Sequence, residues 1–314
     1  MPCSCRLSPL MYPIRPNERF AYQGINDRAD FSWPNGKRLA VYVGFNVEHF
    51  SFGDGLGGCL GPVSPQPDVL NYMWREYGNR VGVWRCLDLF DERQLPLGAI
   101  INTSLYEHCP EVLKALHSRG DEMIGHGYTN AQRQSDLSVE GEAAMIQACQ
   151  ETITREWGQS AKGWLSPWLS ESHHTPDLLA QMGFQYTLNY CHDDQPTPLK
   201  TAGGQALLSV PYPQELNDIP MVMHRQMDMK DFALMIQDQV EVMLEQAYCA
   251  GREQSLVMGI ALHPYIVGQP YRLKYLRQAL QYLQRFESQI WFTTPGAVAQ
   301  AFEQAHFTRS SVRL

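Results

Sequence analysis

The sequence has no long hydrophobic run, no excess of basic residues and no paired cysteine motif. No stretch approaches the roughly 20 apolar residues that a membrane helix needs, and the proline-interrupted start contains no apolar core of a secretory signal. We therefore expect a cytoplasmic protein without a membrane partner. The formal net charge of −8 argues against nucleic-acid binding, which depends on many Lys and Arg contacts to phosphate. Small molecules or uncharged polymers are the expected partners.

The eight cysteines are scattered through the chain with no C-x-x-C pair. This usage is typical of reduced thiols in a cytosolic protein. Cys3 and Cys5 are close enough to bind a soft metal. They lie in a segment expected to be irregular, so we do not predict a metal site there.

Runs of apolar, β-branched residues alternate with amphipathic helical patterns. The first run, residues 39–48, predicts a strand covered on both faces, and residues 72–93 predict a helix. About seven such strand–helix units indicate an α/β protein built on a parallel sheet or TIM-like barrel. We predict an irregular N-terminal arm over 1–36, a single barrel domain over 37–306 and a C-terminal tail over 307–314.

Polar residues stand at the predicted carboxyl ends of several strands. They are Asn46, Glu48, His126, Asn130, Ser166, Asp193, Asp194 and His263. Taken singly, such a residue can have a purely structural role, because polar residues are also typical of turns and of strands that meet solvent. In a parallel barrel, however, strand ends converge on one face, so we expect a common site. A buried Glu beside two imidazoles would supply both a general base and a general acid.

The segment after the first strand is rich in glycine. Gly53, Gly55 and Gly58 satisfy G-x-G-x-x-G, the pattern of a dinucleotide-binding turn. That motif requires a helix to begin at once, and the prolines within residues 62–67 make a helix improbable there. We predict an irregular loop or lid beside the site instead.

Several short motifs, in a fixed order, resemble the polysaccharide deacetylase (NodB-homology, carbohydrate esterase family 4) superfamily. They are N-x-E at 46–48, HGYTN at 126–130 and LHPY at 262–265. GWLSPWLSES, DDQP, HPYIVGQPYR and IWFTTPG are similar to its PuuE-like allantoinase branch. The resemblance covers roughly residues 39–302. It implies a distorted (β/α)7 TIM-like barrel of the NodB type that hydrolyses carbon–nitrogen bonds, in an N-acetyl group or a small amide.

The resemblance also implies a divalent metal, usually zinc, held by an Asp and two His four residues apart. Here Asn46-Val47-Glu48 stands in place of the Asp pair, and Asn130 replaces the second His after His126. An amide oxygen in place of an imidazole should weaken zinc binding. We therefore expect no metal cofactor. If one were bound, Glu48, His126 and Asn130 would hold it.

These departures favour a metal-independent, allantoinase-like hydrolase of a small linear or cyclic amide, and the branch implies a homo-oligomer. In this interpretation Glu48 is the general base, His263 the general acid, and His126 holds the substrate carbonyl or the water. The predicted substrate-binding residues are Asn46, Asn130, Ser166, Trp168, Asp193 and Asp194, of which the two aspartates either orient His263 or bind a substrate N–H. Two alternatives stay open: a metal-dependent N-deacetylase of a sugar or polysaccharide, and an inactive barrel that binds a ligand or partner protein.

Overall fold

The computed structural model describes residues 15–64 and 66–310, with side chains as far as residue 306. Cys3 and Cys5 lie outside the described residues. A nine-stranded sheet, parallel except at one edge, curls into an incomplete barrel with helices on its outer surface. The predicted α/β barrel is confirmed. Within the described residues, no helix is both long and apolar enough to cross a bilayer.

The strands are β1 (Leu39–Val47), β2 (Leu97–Ile101), β3 (Glu122–Gly125), β4 (Gly163–Trp164), β5 (Tyr186–Thr187), β6 (Thr197–Leu199), β7 (Leu207–Ser209), β8 (Leu256–Leu262) and β9 (Ile290–Thr293). The helices are α1 (Val69–Tyr77), α2 (Val83–Glu92), α3 (Leu105–His108), α4 (Pro110–Arg119), α5 (Val139–Trp157), α6 (Thr175–Gln181), α7 (Met229–Ala247), α8 (Pro264–Val267), α9 (Pro270–Gln284) and α10 (Pro295–Ser310). The last helix continues past residue 306, where the barrel domain is predicted to end.

Strand β1 is paired along both edges, and all nine of its residues are buried. One edge pairs with β8 along Leu39–Phe45. The other edge is shared, because β9 pairs with residues 39–42 and β2 with residues 43–47. Apolar side chains on both faces explain this burial, since a strand in the middle of a parallel sheet meets helices outside and other strands' side chains inside.

Two irregular segments, one before β6 and one between β7 and β8, pair with β8. The backbone N–H of Ala261 donates to Leu216 O, Asn217 forms an isolated parallel bridge with Ala261, and Val257 N–H donates to Asp194 O. Beyond β7 lies β6, which runs antiparallel to it. The sequence predicts parallel pairing throughout, and this antiparallel edge differs from that prediction. Strand β6 has only three residues, too few for an alternation of apolar residues to be recognised.

The predicted helix over 72–93 is interrupted in its middle by a π-helical turn, Gly78–Gly82. The turn packs against α8 so closely that a Cβ on Gly78 would lie 2.7 Å from the Tyr265 backbone nitrogen, and one on Gly82 would overlap the Pro264 carbonyl oxygen. Such turns recur at functional sites. Here the two glycines let the α1–α2 segment approach the residues that follow β8.

Candidate active site

Glu48 directly follows β1 and is buried, with 5% of its surface exposed. Its Oε1 accepts a hydrogen bond of 2.6 Å from Asn130 Nδ2, and its Oε2 accepts one of 2.9 Å from the Tyr265 hydroxyl. His126 Nε2 lies 3.6 Å and His263 Nε2 3.5 Å from Oε1. One carboxylate therefore stands between two imidazoles that follow β3 and β8.

His126 is fixed by the strand next to its own. Its Nδ1 donates a hydrogen bond of 2.6 Å to the carbonyl oxygen of Leu165, which follows β4. Its Nε2 is buried and has no hydrogen-bond partner among the described residues, and Glu48 Oε1 lies 3.6 Å from it. Gly127 permits the turn that follows, because its φ is +70° and a Cβ would lie 2.8 Å from Pro167 Cγ.

His263 is held by Asp218. The imidazole Nδ1 donates to Asp218 Oδ1 at 2.6 Å, and the His263 backbone N–H donates to Oδ2 at 2.8 Å. Asp218 is fully buried. Because the Nδ1 side of the ring is bound to Asp218, Nε2 faces Glu48. Asp218, His263 and Glu48 lie side by side in one buried row, with the imidazole between the two carboxylates.

Opposite charges set the protonation of this row. Burial, the largest single effect, opposes ionisation of Glu48, but the charge of His263, the hydrogen bonds of His126 and His263 and the charge of His126 together lower the pKa of Glu48 to about 2. Burial would likewise lower the pKa of His263, yet Asp218 and Glu48 raise it to about 10. Burial raises the pKa of Asp218, against the lowering effect of His263. At neutral pH the row holds an ionised Glu48 and a protonated His263.

Asn130 and Trp168 form the wall next to Glu48. Besides the bond from Nδ2 to Glu48, Asn130 presents a buried Oδ1 that has no partner among the described residues. The Trp168 indole N–H donates 2.8 Å to the Asn130 carbonyl oxygen, while 36% of Trp168 is exposed. Trp168 has a left-handed backbone with φ +62°, an uncommon conformation for a bulky residue that points to a constrained position.

Asp193 and Asp194 lie away from this site. Asp193 forms an ion pair of 2.5 Å with Arg28, and the Asp194 carbonyl accepts from Val257, near the start of β8. His263 follows the other end of that strand, six residues further on, which corresponds to about 20 Å. The predicted contact of these aspartates with His263 is therefore corrected, because the segment after β5 turns toward the amino ends of the strands. Asp218 occupies that place.

Asn46, in β1, and Ser166, two residues after β4, form hydrogen bonds with other residues of the barrel. Asn46 Nδ2 donates to the Tyr212 hydroxyl at 3.1 Å. Ser166 Oγ accepts from Trp164 Nε1 and Asn189 Nδ2, at 3.2 and 2.9 Å. Both residues are buried. Their polar groups support the walls around Glu48.

Three site residues were missed from the sequence. Asp218 lies in the irregular segment before α7, where no strand end marks it. Tyr265 stands two residues after His263, and its place in the HPY motif was the available signal. Asn79, in the π-helical turn, donates 2.8 Å to the Glu48 carbonyl oxygen, and nothing in the sequence pattern distinguishes it from a helical surface residue.

Comparisons with known proteins find similarity to polysaccharide deacetylases. Residues 72–187 match the model of the family described as polysaccharide deacetylase, a span that contains His126 and Asn130. The peptidoglycan deacetylase of Helicobacter pylori is 22% identical over 283 residues, covering 82% of this chain and 94% of that protein.

Solved structures show the same fold. PuuE allantoinase superposes with a TM-score of 0.76 at 24% identity, covering 87% of this chain and 93% of its own. A structure titled "probable Polysaccharide deacetylase" from Pseudomonas aeruginosa PAO1 gives 0.75 at 24% identity, covering 87% and 94%.

Metal dependence is general among carbohydrate esterase family 4 deacetylases, so the donor atoms beside Glu48 bear on it. Among the described residues, no three His, Cys, Asp or Glu side chains are grouped as a metal site. The buried atoms without a hydrogen-bond partner at this site are one imidazole nitrogen, on His126, and one amide oxygen, on Asn130. Glu48 Oε1 already accepts from the Asn130 amide, and the second imidazole, His263, is bound through Nδ1 to Asp218. This set fits zinc poorly and offers acceptors for O–H or N–H donors.

Proposed function

We propose that this chain, which matches the polysaccharide deacetylase family model over residues 72–187, hydrolyses a carbon–nitrogen bond of a small linear or cyclic amide by general acid–base activation of water. One observation carries the proposal: ionised Glu48 lies 3.5 Å from protonated His263, beside two buried, unpartnered acceptors. A base, an acid and a docking place for water or an amide N–H are thus within one small site.

In the proposed reaction Glu48 takes a proton from a water molecule whose oxygen attacks the amide carbonyl carbon. His126 Nε2 accepts the other water proton as a hydrogen bond and so aims the oxygen, and Asn130 Oδ1 accepts a substrate N–H. As the carbon–nitrogen bond breaks, His263 Nε2 donates its proton to the leaving nitrogen. The products are a carboxylic acid and an amine, joined in one molecule when the substrate is cyclic.

The two catalytic groups assist each other. The charge of His263 is one of the effects that keep the pKa of Glu48 low, so once His263 has given its proton to the leaving nitrogen, Glu48 holds the proton taken from water more tightly. Afterwards the proton on Glu48 returns to His263 across the 3.5 Å between Oε1 and Nε2, and the resting state is restored. Asp218 keeps the imidazole oriented throughout.

The test compares wild-type protein with Glu48→Gln and His263→Ala on allantoin, hydantoins, linear ureido acids and N-acetylglucosamine oligomers. We expect amide hydrolysis that survives dialysis against a chelator, with kcat reduced about 100- to 10,000-fold in each variant. Full activity of both variants would refute this mechanism. Elemental analysis of protein purified without added metal separates the rival function, since stoichiometric zinc together with turnover of the oligomers would establish a deacetylase.

The oligomeric state, the location and the domain boundaries are further parts of the proposal. We propose a homo-oligomer that acts in the cytoplasm on a small-molecule amide, with the arm, barrel and tail divided at residues 36 and 306. Light scattering coupled to size exclusion measures the assembly, and a monomeric mass would contradict it.

A further inference from the structure

Arg75, near the end of α1, is a buried cation with few partners. Only 8% of its surface is exposed. Its Nη1 donates 2.7 Å to the Gly58 carbonyl oxygen, while its Nε is buried with no partner among the described residues. Nε and Nη2 form the other edge of the guanidinium, which is therefore free to donate.

No carboxylate forms a direct ion pair with Arg75. Within the part of the chain that the structure describes, no Asp or Glu oxygen lies within 4.0 Å of Arg75, whereas Arg28 pairs with Asp193 and Arg119 with Asp121. Arginine does not give up its proton in proteins. Removing a charge from water costs several kcal/mol. A carboxylate that paired directly with Arg75 would offset part of this cost.

The guanidinium lies beside the catalytic carboxylate. Its central carbon is 4.6 Å from the centre of the Phe50 ring, two residues after Glu48. Gly57 leaves room for it, since a Cβ there would overlap Arg75 Nη1. Gly58, which accepts from Arg75, lies against the Tyr265 hydroxyl that binds Glu48. A single residue therefore separates the guanidinium from the Glu48 network.

We propose that Arg75 binds a carboxylate of the substrate through its Nε and Nη2 edge. This inference rests on the proposed amide hydrolysis and names the substrate class as an amide that carries an acidic group. A planar guanidinium edge matches the two oxygens of a carboxylate. Arg75 carries a single positive charge, so a singly charged anion matches it.

The experiment uses two pairs of probes, and in each pair a carboxylate is compared with its neutral amide. The pairs are hydantoin-5-acetate with hydantoin-5-acetamide, and N-acetylglycine with N-acetylglycinamide. Hydrolysis is measured with wild-type protein, and binding by calorimetry with the Glu48→Gln variant, which holds the ligand without turnover. We expect the acidic member of a pair to be preferred about tenfold or more. Arg75→Gln should abolish the preference by weakening the acidic member alone, and Arg75→Lys should restore part of it.

Arg80 provides the matched control, because it lies in the next turn and its side chain is 74% exposed. Arg80→Gln should leave the charge preference unchanged. Equal losses for both members of each pair in a folded Arg75→Gln protein would overturn the proposal and make Arg75 a support for the loop at Gly58.

The two proposals fail separately. Binding of the acidic probes without any turnover by the wild-type protein would leave the anion site standing and refute the amide hydrolysis. Hydrolysis of both members at equal rates would refute the anion site alone.

Discussion

The Tyr265 hydroxyl donates a hydrogen bond of 2.9 Å to Glu48 Oε2, and both groups are buried. This bond fixes the carboxylate in one rotamer and leaves Oε1 facing the two imidazoles. The Tyr265 ring is itself held edge-to-face by Trp74, with ring centres 4.9 Å apart. Orientation of the proposed base therefore depends on a residue that the sequence pattern did not single out.

Tyr265→Phe should lower kcat about 10- to 100-fold with little change in KM, because a hydrogen bond to a charged group is lost while the ring keeps its packing. Steady-state kinetics on the best substrate of the panel measure it. Tyr271→Phe is the matched control, since Tyr271 is 62% exposed, and its kinetics should equal the wild type's. An unchanged kcat in Tyr265→Phe would contradict the positioning role.

Asp218→Asn should reduce kcat about 100-fold or more, since an amide cannot stabilise the imidazolium as the carboxylate does. It should also lower the pKa of His263, because Asp218 is one of the two groups that raise it. The alkaline limb of the pH–rate profile should therefore move to lower pH. A loss of activity with an unmoved limb would indicate that Asp218 only supports the fold.

The wild-type pH–rate profile should be broad. Activity requires ionised Glu48, with a pKa of about 2, and protonated His263, with a pKa of about 10. We expect kcat/KM to be nearly flat from about pH 5 to about pH 8, falling only outside that range. A limb between pH 6 and 7 would show that His263 titrates as an isolated imidazole, contrary to its place between two carboxylates.

The same two groups should shape the dependence of stability on pH. The pKa of Glu48 is lowered on folding, so its contribution is present above its ordinary pKa of 4.5 and is lost as pH falls toward 2. The pKa of His263 is raised, so its contribution is present below 6.5 and is lost as pH rises toward 10. Denaturant titrations of the wild type and Glu48→Gln should converge at low pH, and parallel curves would contradict this linkage.

Gly82→Ala should destabilise the fold by about 1–3 kcal/mol, because the added methyl group overlaps the Pro264 carbonyl oxygen. Gly141→Ala is the control: it lies in α5, where the nearest atom to a new Cβ is Ser138 Oγ at 3.4 Å. Alanine is the better helix former, so that variant should be neutral or slightly stabilised. Thermal unfolding checks both, and equal melting temperatures would contradict the tight crossing.

The residues that the sequence could predict are those on regular strands. The run 39–48 gives β1 and therefore the position of Glu48, while the buried strands before His126 and His263 place both imidazoles at the same face. Asp218 could not be found in this way. It reaches His263 because an irregular segment runs beside β8, and a contact of 45 residues' separation between a loop and a strand leaves no local pattern.

The two aspartates at 193 and 194 show the complementary limit. They follow a strand-like run, as the other candidates do, but β5 is only two residues long and the chain then turns back toward the start of β8. The ion pair between Arg28 and Asp193 holds that turn, and Arg28 belongs to the segment before β1. Pairing between residues 165 positions apart is set by tertiary packing, which periodicity does not encode.

The shared edge of β1 has a consequence for how the chain tolerates change. Strand β9 stops beside Tyr42, five residues short of Val47 and about 17 Å from the face that carries Glu48. The last strand–helix unit, β9 and α10, thus packs against the barrel at a distance from Glu48. Substitutions within it should be visible in expression yield and melting temperature and not in substrate preference, which makes this end of the protein the safer place for a fused tag or an engineered tether.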